Sequence, residues 1–223
     1  MTDKKQAREL YDRGDFEASF AMWLLLAETG DAEAQAWAGS FYANGEGGVL
    51  LDGELAFYWY VKAAEQGDHQ AQANVGAMCY MGTGVEKNDE QAIKWLSAAA
   101  EGGDINGLFN LAVLCTKGEG IEKSDEKAAE LYREAAELGH YPSQSRLGYM
   151  YAQGQGVSKD RVQAYLWLTL AAQHGIGTAL NELESIVKSM SAEEKAQGAQ
   201  LFDHWRLRTG SNNGPTALYP MPS

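Results

Sequence analysis

The sequence predicts an all-α protein, a right-handed solenoid of about twelve helices built from helix–loop–helix repeats. Three observations carry that reading. Glycines recur at a fixed period, the stretches between them place Ala and larger apolar residues at helical spacing, and helix-capping residues return at the same register. The chain of 223 residues holds 25 Gly and 4 Pro. So much glycine suits a helical protein only where it marks helix ends or close contacts.

The period is read from Gly30, Gly67, Gly103, Gly139 and Gly175, which are 37, 36, 36 and 36 residues apart. The extra residue is assigned to Gly48, because Gly45-Glu46-Gly47-Gly48-Val49 stands where the next period has Gly82-Thr83-Gly84-Val85. Gly39, Gly76 and Gly148 follow their anchors by nine residues, with Ala112 in the third period. Gly45, Gly82, Gly118 and Gly154 follow by fifteen, and Gly47, Gly84, Gly120 and Gly156 by seventeen. Sixteen of the glycines thus fall on four recurring positions.

The first elements, residues 3–29, read as a short helix pair turning at Gly14-Asp15, with Phe16, Phe20, Trp23 and Leu24 on the second helix. In each full repeat, Asp31, Asp68 or Asp104 caps a first helix, whose stripe is exemplified by Ala71, Val75 and Cys79 or Ser143, Leu147 and Tyr151. The small residue nine positions in lets the paired helix come close, and the first loop glycine ends the helix in a left-handed conformation. Val49, Val85, Ile121 or Val157 plugs the loop against the core. Asp52, Asn88, Ser124 and Asp160 then cap the second helix, which carries the Trp59, Trp95, Leu131, Trp167 column and paired alanines such as Ala63-Ala64 and Ala99-Ala100. After Gly175 the pattern stops. Thr178–Met190 forms one helix with Leu180, Leu183, Ile186 and Val187 apolar, and a capping box at Ser191 and Glu194 opens a last one to about Arg208. Thr209–Ser223, uncharged and holding three of the four prolines, reads as a flexible tail.

These columns resemble the Sel1-like repeat, a relative of the tetratricopeptide repeat (TPR) with a longer interhelical loop. The residues that carry it are Ala71–Gly76, Tyr80–Gly84-Val85, Ala92, Trp95, Ala99-Ala100 and Gly103, with their equivalents in the other repeats. The resemblance covers about residues 15–190 and implies this division: a TPR-like capping pair over 1–30, repeats over 31–66, 67–102, 103–138 and 139–174, capping helices over 175–208, and the tail. It also implies a bacterial, non-enzymatic scaffold or adaptor for protein–protein interaction. Bacterial members work in envelope regulation, motility, secretion or host interaction. Two alternatives stay open: an immunity or inhibitor protein that neutralises a toxin or effector, and an enzyme of the cysteine-rich branch that interacts with β-lactams.

This chain departs from that branch. Cys79 and Cys115 hold the same register in neighbouring repeats, so they are expected at about the 10 Å helix spacing, beyond the reach of a disulfide. Two free, buried thiols and a reducing, cytoplasmic location are therefore expected. No secretory h-region follows the polar N-terminus, and no apolar run is long enough for a membrane span.

Little catalytic chemistry is legible. The Gly-x-Gly pairs follow helices and lack the Lys-Ser/Thr ending of a phosphate loop. His69, His140, His174 and His204 never fall at i, i+4, and read as exposed junction or surface residues rather than metal ligands. No nucleophile–base set and no cofactor motif can be named.

Two surfaces are candidates for a partner. Net charge is −13, and residues 14–68 carry ten acidic side chains against the single Lys62. That field disfavours nucleic acid. It makes Glu28, Asp31, Glu33, Glu46, Asp52 and Glu54 an acidic patch that would attract a basic segment. The second surface is a concave groove. By analogy with TPR arrays, positions 3, 6, 10, 13 and 14 after the anchor face it: Gln70, Ala73, Ala77, Tyr80 and Met81, then Asn106, Phe109, Val113, Thr116 and Lys117, then Ser145, Tyr149 and Gln153. Repeat 1 adds Glu33, Ala36, Ser40 and Asn44. Amides there could hold an extended peptide backbone while aromatic and aliphatic groups receive its side chains. A monomer is expected, with the tail able to fill its own groove or a neighbour's.

Overall fold

In the computed structural model, residues 4–209 are described. Among them are twelve helices and no strand: α1 (Lys4–Asp12), α2 (Phe16–Glu28), α3 (Ala32–Asn44), α4 (Gly53–Glu65), α5 (His69–Met81), α6 (Asp89–Glu101), α7 (Ile105–Lys117), α8 (Asp125–Glu137), α9 (Tyr141–Gln153), α10 (Arg161–Gln173), α11 (Gly177–Ser189) and α12 (Ala192–Thr209). This is the all-α, helix–loop–helix solenoid class that the glycine period predicts. The tail reading lies outside the described residues, except that Thr209 belongs to α12.

The caps fall where the sequence places them. Asp31, Asp68 and Asp104 each accept from the backbone N–H three residues on. Asp52, Asn88, Ser124 and Asp160 do the same for α4, α6, α8 and α10. Gly45, Gly82 and Gly154 close α3, α5 and α9 in the left-handed region. The loop from first to second helix is then pinned by one bond: the N–H of Asn88 donates to the Cys79 carbonyl at 2.8 Å, of Ser124 to Cys115 at 3.0 Å, and of Asp160 to Tyr151 at 3.0 Å. Repeat 1 keeps that bond, Asp52 to Tyr42 at 2.9 Å, across one more residue, so Gly48 is absorbed without loss of the frame. At α12 both halves of the capping box form, Ser191 N–H to Glu194 Oε2 at 2.7 Å and Glu194 N–H to Ser191 Oγ at 3.1 Å.

The chain divides into two compact units between Asn110 and Leu111. In the first, α1 to α6 enclose two clusters. One is aromatic: Trp23 stacks on Trp37 at 5.1 Å, and Tyr11 meets Phe16, Trp37 and Phe41 edge-on. The other joins Ala56, Tyr60 and Ala63 of α4 to Ala71, Val75 and Cys79 of α5. A Cβ on Gly39 would lie 2.7 Å from the Tyr60 ring, and one on Gly76 2.6 Å from Leu96, so this column sets the helix-pair distance. In the second unit, Ala164, Leu168 and Ala171 of α10 centre a cluster with Ala179 and Ile186 of α11, and Gly148 meets Leu168 as Gly76 meets Leu96.

The loop residues Val49, Val85, Ile121 and Val157 are all half-buried, and Val85 packs against the α4–α5 cluster as the plug reading expects. The second loop glycine adds a tight backbone contact. At Gly84, a Cβ would sit 2.0 Å from the Gly53 carbonyl oxygen, and at Gly156 2.2 Å from that of Asp125. Each such loop therefore lies against the first turn of the preceding repeat's second helix.

Candidate functional site

The first helices of the repeats, α5, α7 and α9, carry the predicted groove residues. On α5 the core stripe Ala71, Val75, Gly76 and Cys79 is buried as read, and on α9 Ser143, Leu147 and Gly148 are buried while Tyr151 is half-buried. The neighbouring stripe reaches solvent. Within the first unit Gln70, Tyr80, Asn106 and Phe109 are half-buried and Met81 is exposed; within the second, Val113 and Ser145 are half-buried and Lys117, Tyr149 and Gln153 exposed. Ala73 is a correction, since it is buried: position 6 turns far enough toward the neighbouring helix to lose solvent when its side chain is only a methyl.

Several of these groups already have partners. Lys87 Nζ lies 5.1 Å from the centre of the Tyr80 ring, Lys117 pairs with Glu119 at 3.7 Å, and Gln153 Nε2 donates to Glu182 Oε1 at 2.9 Å. In repeat 1 helix α1 reaches the stripe at Glu33. Glu33 pairs with Arg8 and, at 3.3 Å, with Lys4, and Asn44 donates to Ser40 Oγ at 3.3 Å.

The same helix changes the acidic patch. Asp31 pairs with Lys4 at 2.6 Å. Burial works to raise its carboxyl pKa, but Lys4 and the Ala34 N–H outweigh this and hold it below the usual value. Glu46 accepts from the Tyr11 hydroxyl at 3.3 Å, and Asp52 caps α4. Glu28 and Glu54 are left exposed. The acidic run of sequence is thus supplied with bases from residues that precede it.

The junction histidines are not uniformly exposed. His69 and His174 are exposed, but His140 is half-buried with Nδ1 2.8 Å from Ser143 Oγ, and burial pushes its pKa down to about 4. It stands in the Asp column yet caps nothing with its side chain. His174 stacks on Tyr141 at 3.5 Å. Among the described residues, no three His, Cys, Asp or Glu side chains are gathered to hold a metal ion, and no helix is long and apolar enough to cross a membrane. Cys79 and Cys115 are free and buried, and burial raises both thiol pKa values.

One polar column escapes the sequence reading. Gln35, Gln72 and Gln144, five residues after the anchor, are buried, and each Nε2 donates to a carbonyl at the end of the preceding helix: Ala27 at 3.2 Å, Ala64 at 3.2 Å and Ala136 at 3.1 Å. Each satisfies a helix-end acceptor that would otherwise be short of donors. The recurrence of Gln at one register beside buried neighbours was the available signal.

Capped helix pairs, repeated with left-handed glycines at fixed positions and short helix-to-helix approaches, define an α-solenoid repeat protein. The Sel1 repeat model matches residues 32–68, 69–104, 105–140 and 142–176. The chain belongs to the Sel1 repeat family. It is similar to a protective antigen of uropathogenic Escherichia coli with the same repeat fold, at 30% identity and a TM-score of 0.79 over 92% of this chain. It spans only 46% of that antigen. A Sel1 repeat protein from Oxalobacter formigenes is 30% identical, with a TM-score of 0.75 over 93% of this chain and 82% of the other. A Sel1 repeat protein from Klebsiella pneumoniae shares the fold at 20% identity, with a TM-score of 0.53 over 81% of this chain and 89% of its own. No curated protein matches. Sel1 repeat proteins generally mediate protein–protein interactions, and their fold is typically a non-enzymatic scaffold.

Proposed function

We propose that the chain is a non-enzymatic, cytoplasmic adaptor that binds an extended peptide or protein segment along the exposed stripe of its first helices. Each unit offers its own stretch: Gln70, Tyr80, Met81, Asn106 and Phe109 in one, Val113, Lys117, Ser145, Tyr149 and Gln153 in the other. The observation that supports this most is Tyr149. It is 45% exposed, and its helix neighbours three and four residues away are Ser145, Arg146, Ala152 and Gln153, so a large ring stands open to solvent beside hydroxyl and amide groups. Amide and hydroxyl groups beside it suit a peptide backbone, and the aromatic ring suits an apolar side chain.

The test is capture of the native partner by affinity and mass spectrometry, followed by titration against Phe109→Ala and Tyr149→Ala. Losing both rings should weaken binding by about 2 kcal/mol or more, roughly thirtyfold, while circular dichroism keeps its helical signal. Unchanged affinity in a folded double variant would reject the reading.

A further inference from the structure

The four repeats provide an internal control for one surface. The two residues before the cap of the second helix are Glu86-Lys87, Glu122-Lys123 and Ser158-Lys159 in repeats 2 to 4, but Leu50-Leu51 in repeat 1. Three and six residues after that cap stand Gln91 and Lys94, Lys127 and Glu130, and Gln163 and Leu166, against Leu55 and Tyr58. Leu166 is buried, so repeats 2 to 4 expose no large apolar group at any of these sites. Repeat 1 exposes four, with Leu50 at 88%, Leu51 at 71%, Leu55 at 40% and Tyr58 at 50%. Leu55 and Tyr58 are i, i+3 neighbours on α4, and Leu51 lies one turn before Leu55.

We propose that Leu50, Leu51, Leu55 and Tyr58 form a docking patch for an amphipathic, basic protein segment, distinct from the stripe on the first helices. The fold gives these leucines no task of its own. The loop bond from Asp52 to Tyr42 and the cap to the Leu55 N–H are made by backbone and Asp52, and the same loop closes elsewhere with Glu-Lys or Ser-Lys. Charge selects the occupant. Leu51 replaces a lysine that all three other repeats keep, Asp52 and Glu54 are interleaved with the patch along the chain, and Glu17 lies beside Gly48 just before it. Lys62 reaches the patch from its own helix, with Nζ 5.6 Å from the centre of the Tyr58 ring. Anionic lipid would be repelled by that rim, and a second copy would set acid against acid. A segment with leucine-like side chains on one face and Lys or Arg along its edges satisfies both halves.

The probe is a synthetic helical peptide with Leu at i, i+3, i+4, i+7 and Lys elsewhere, titrated at physiological salt against the full chain. The variant carries the repeat-2 residues, Leu50→Glu, Leu51→Lys, Leu55→Gln and Tyr58→Lys. Binding should weaken at least about tenfold, amide shifts in the wild type should cluster over residues 48–62, and a Glu version of the peptide should not bind. Phe109→Ala with Tyr149→Ala should leave this binding unchanged, which separates the patch from the adaptor reading above. Equal affinity for the variant, or shifts spread over the acidic surface or centred on α5, α7 and α9, would overturn the proposal. So would concentration-dependent dimerisation, or binding to phosphatidylglycerol vesicles, that the variant abolishes. Should the quadruple variant misfold, Leu50→Glu alone, at the most exposed site, is expected to weaken binding measurably; no change there also counts against it.

Discussion

Repeats 1 and 4 each break the pattern of the repeats between them, and they break it in opposite places. Repeat 1 keeps both caps, the loop bond and the close-packing glycine, and changes its outer face from Glu-Lys to Leu-Leu. Repeat 4 keeps the outer lysine, with Ser158 in place of the glutamate, and changes a cap, with His140 in the place of Asp31, Asp68 and Asp104. The loop bond and the helix lengths are the same in both. A small set of backbone-directed positions therefore specifies the repeat, and the outer positions are free to serve something else.

That separation is broken most severely at a loop glycine. Gly84 has φ +68°, and a Cβ there would overlap the Gly53 carbonyl at 2.0 Å. Both atoms are backbone, so nothing swings aside. Gly84→Ala should cost about 3–5 kcal/mol, combining left-handed strain with overpacking. Gly48, the inserted residue, has φ +80° but meets nothing closer than Glu17 Cγ at 3.8 Å, so Gly48→Ala should cost about 1 kcal/mol, the strain alone. Urea denaturation of the two variants measures the contrast. Equal losses would mean that the second loop glycine is needed only for its backbone angle.

This contrast also marks what the sequence could reveal. Period, caps and left-handed glycines are local or recur in register, so helix order and the turn at Gly45, Gly82 and Gly154 were legible residue by residue. The contact of Gly84 with Gly53 joins two repeats through backbone atoms and leaves no side-chain trace. Lys4 and Arg8 reaching Asp31 and Glu33 is likewise non-local: a charge run counted along the chain missed the helix folded back on it. Ala73 erred for a geometric reason, because a stripe drawn from TPR arrays does not tell a small side chain at its edge from a large one. Tyr149 is exposed and Phe109 half-buried, and what binds them depends on chemistry outside this chain.

The His140 difference yields a pH signature of intermediate size. Its folded pKa of about 4 lies below the ordinary 6.5, so between these values the unfolded chain binds a proton that the folded one refuses. Stability from this site is complete well above pH 6.5 and falls as pH drops, by about 1.5 kcal/mol between 6.5 and 5. His140→Asp would restore the carboxylate that caps α3, α5 and α7, here aimed at the Ser143 N–H. It should add about 1 kcal/mol near neutrality and flatten that acid slope. If the variant keeps the wild-type slope over this window, the sensitivity belongs to another group.

The smallest effect concerns what holds α1 in place. Its ion pairs, Lys4 to Asp31 and Arg8 to Glu33, join side chains that are 28 to 54% exposed, and such pairs contribute about 0.2–1 kcal/mol each. Packing is the stronger claim on the helix: Ala7 is buried, Ser19 Oγ donates to its carbonyl at 2.8 Å, and Tyr11 is set among Phe16, Trp37 and Phe41. Lys4→Ala with Arg8→Ala should therefore lower stability by about 1 kcal/mol at low salt and by almost nothing at about 1 M, where charges are screened within about 3 Å. Tyr11→Ala, by contrast, should cost about 3 kcal/mol at either salt. A double variant that loses α1 protection in hydrogen exchange at high salt would reverse this ranking. Repeat 1 would then owe the docking of α1 to charge rather than to packing.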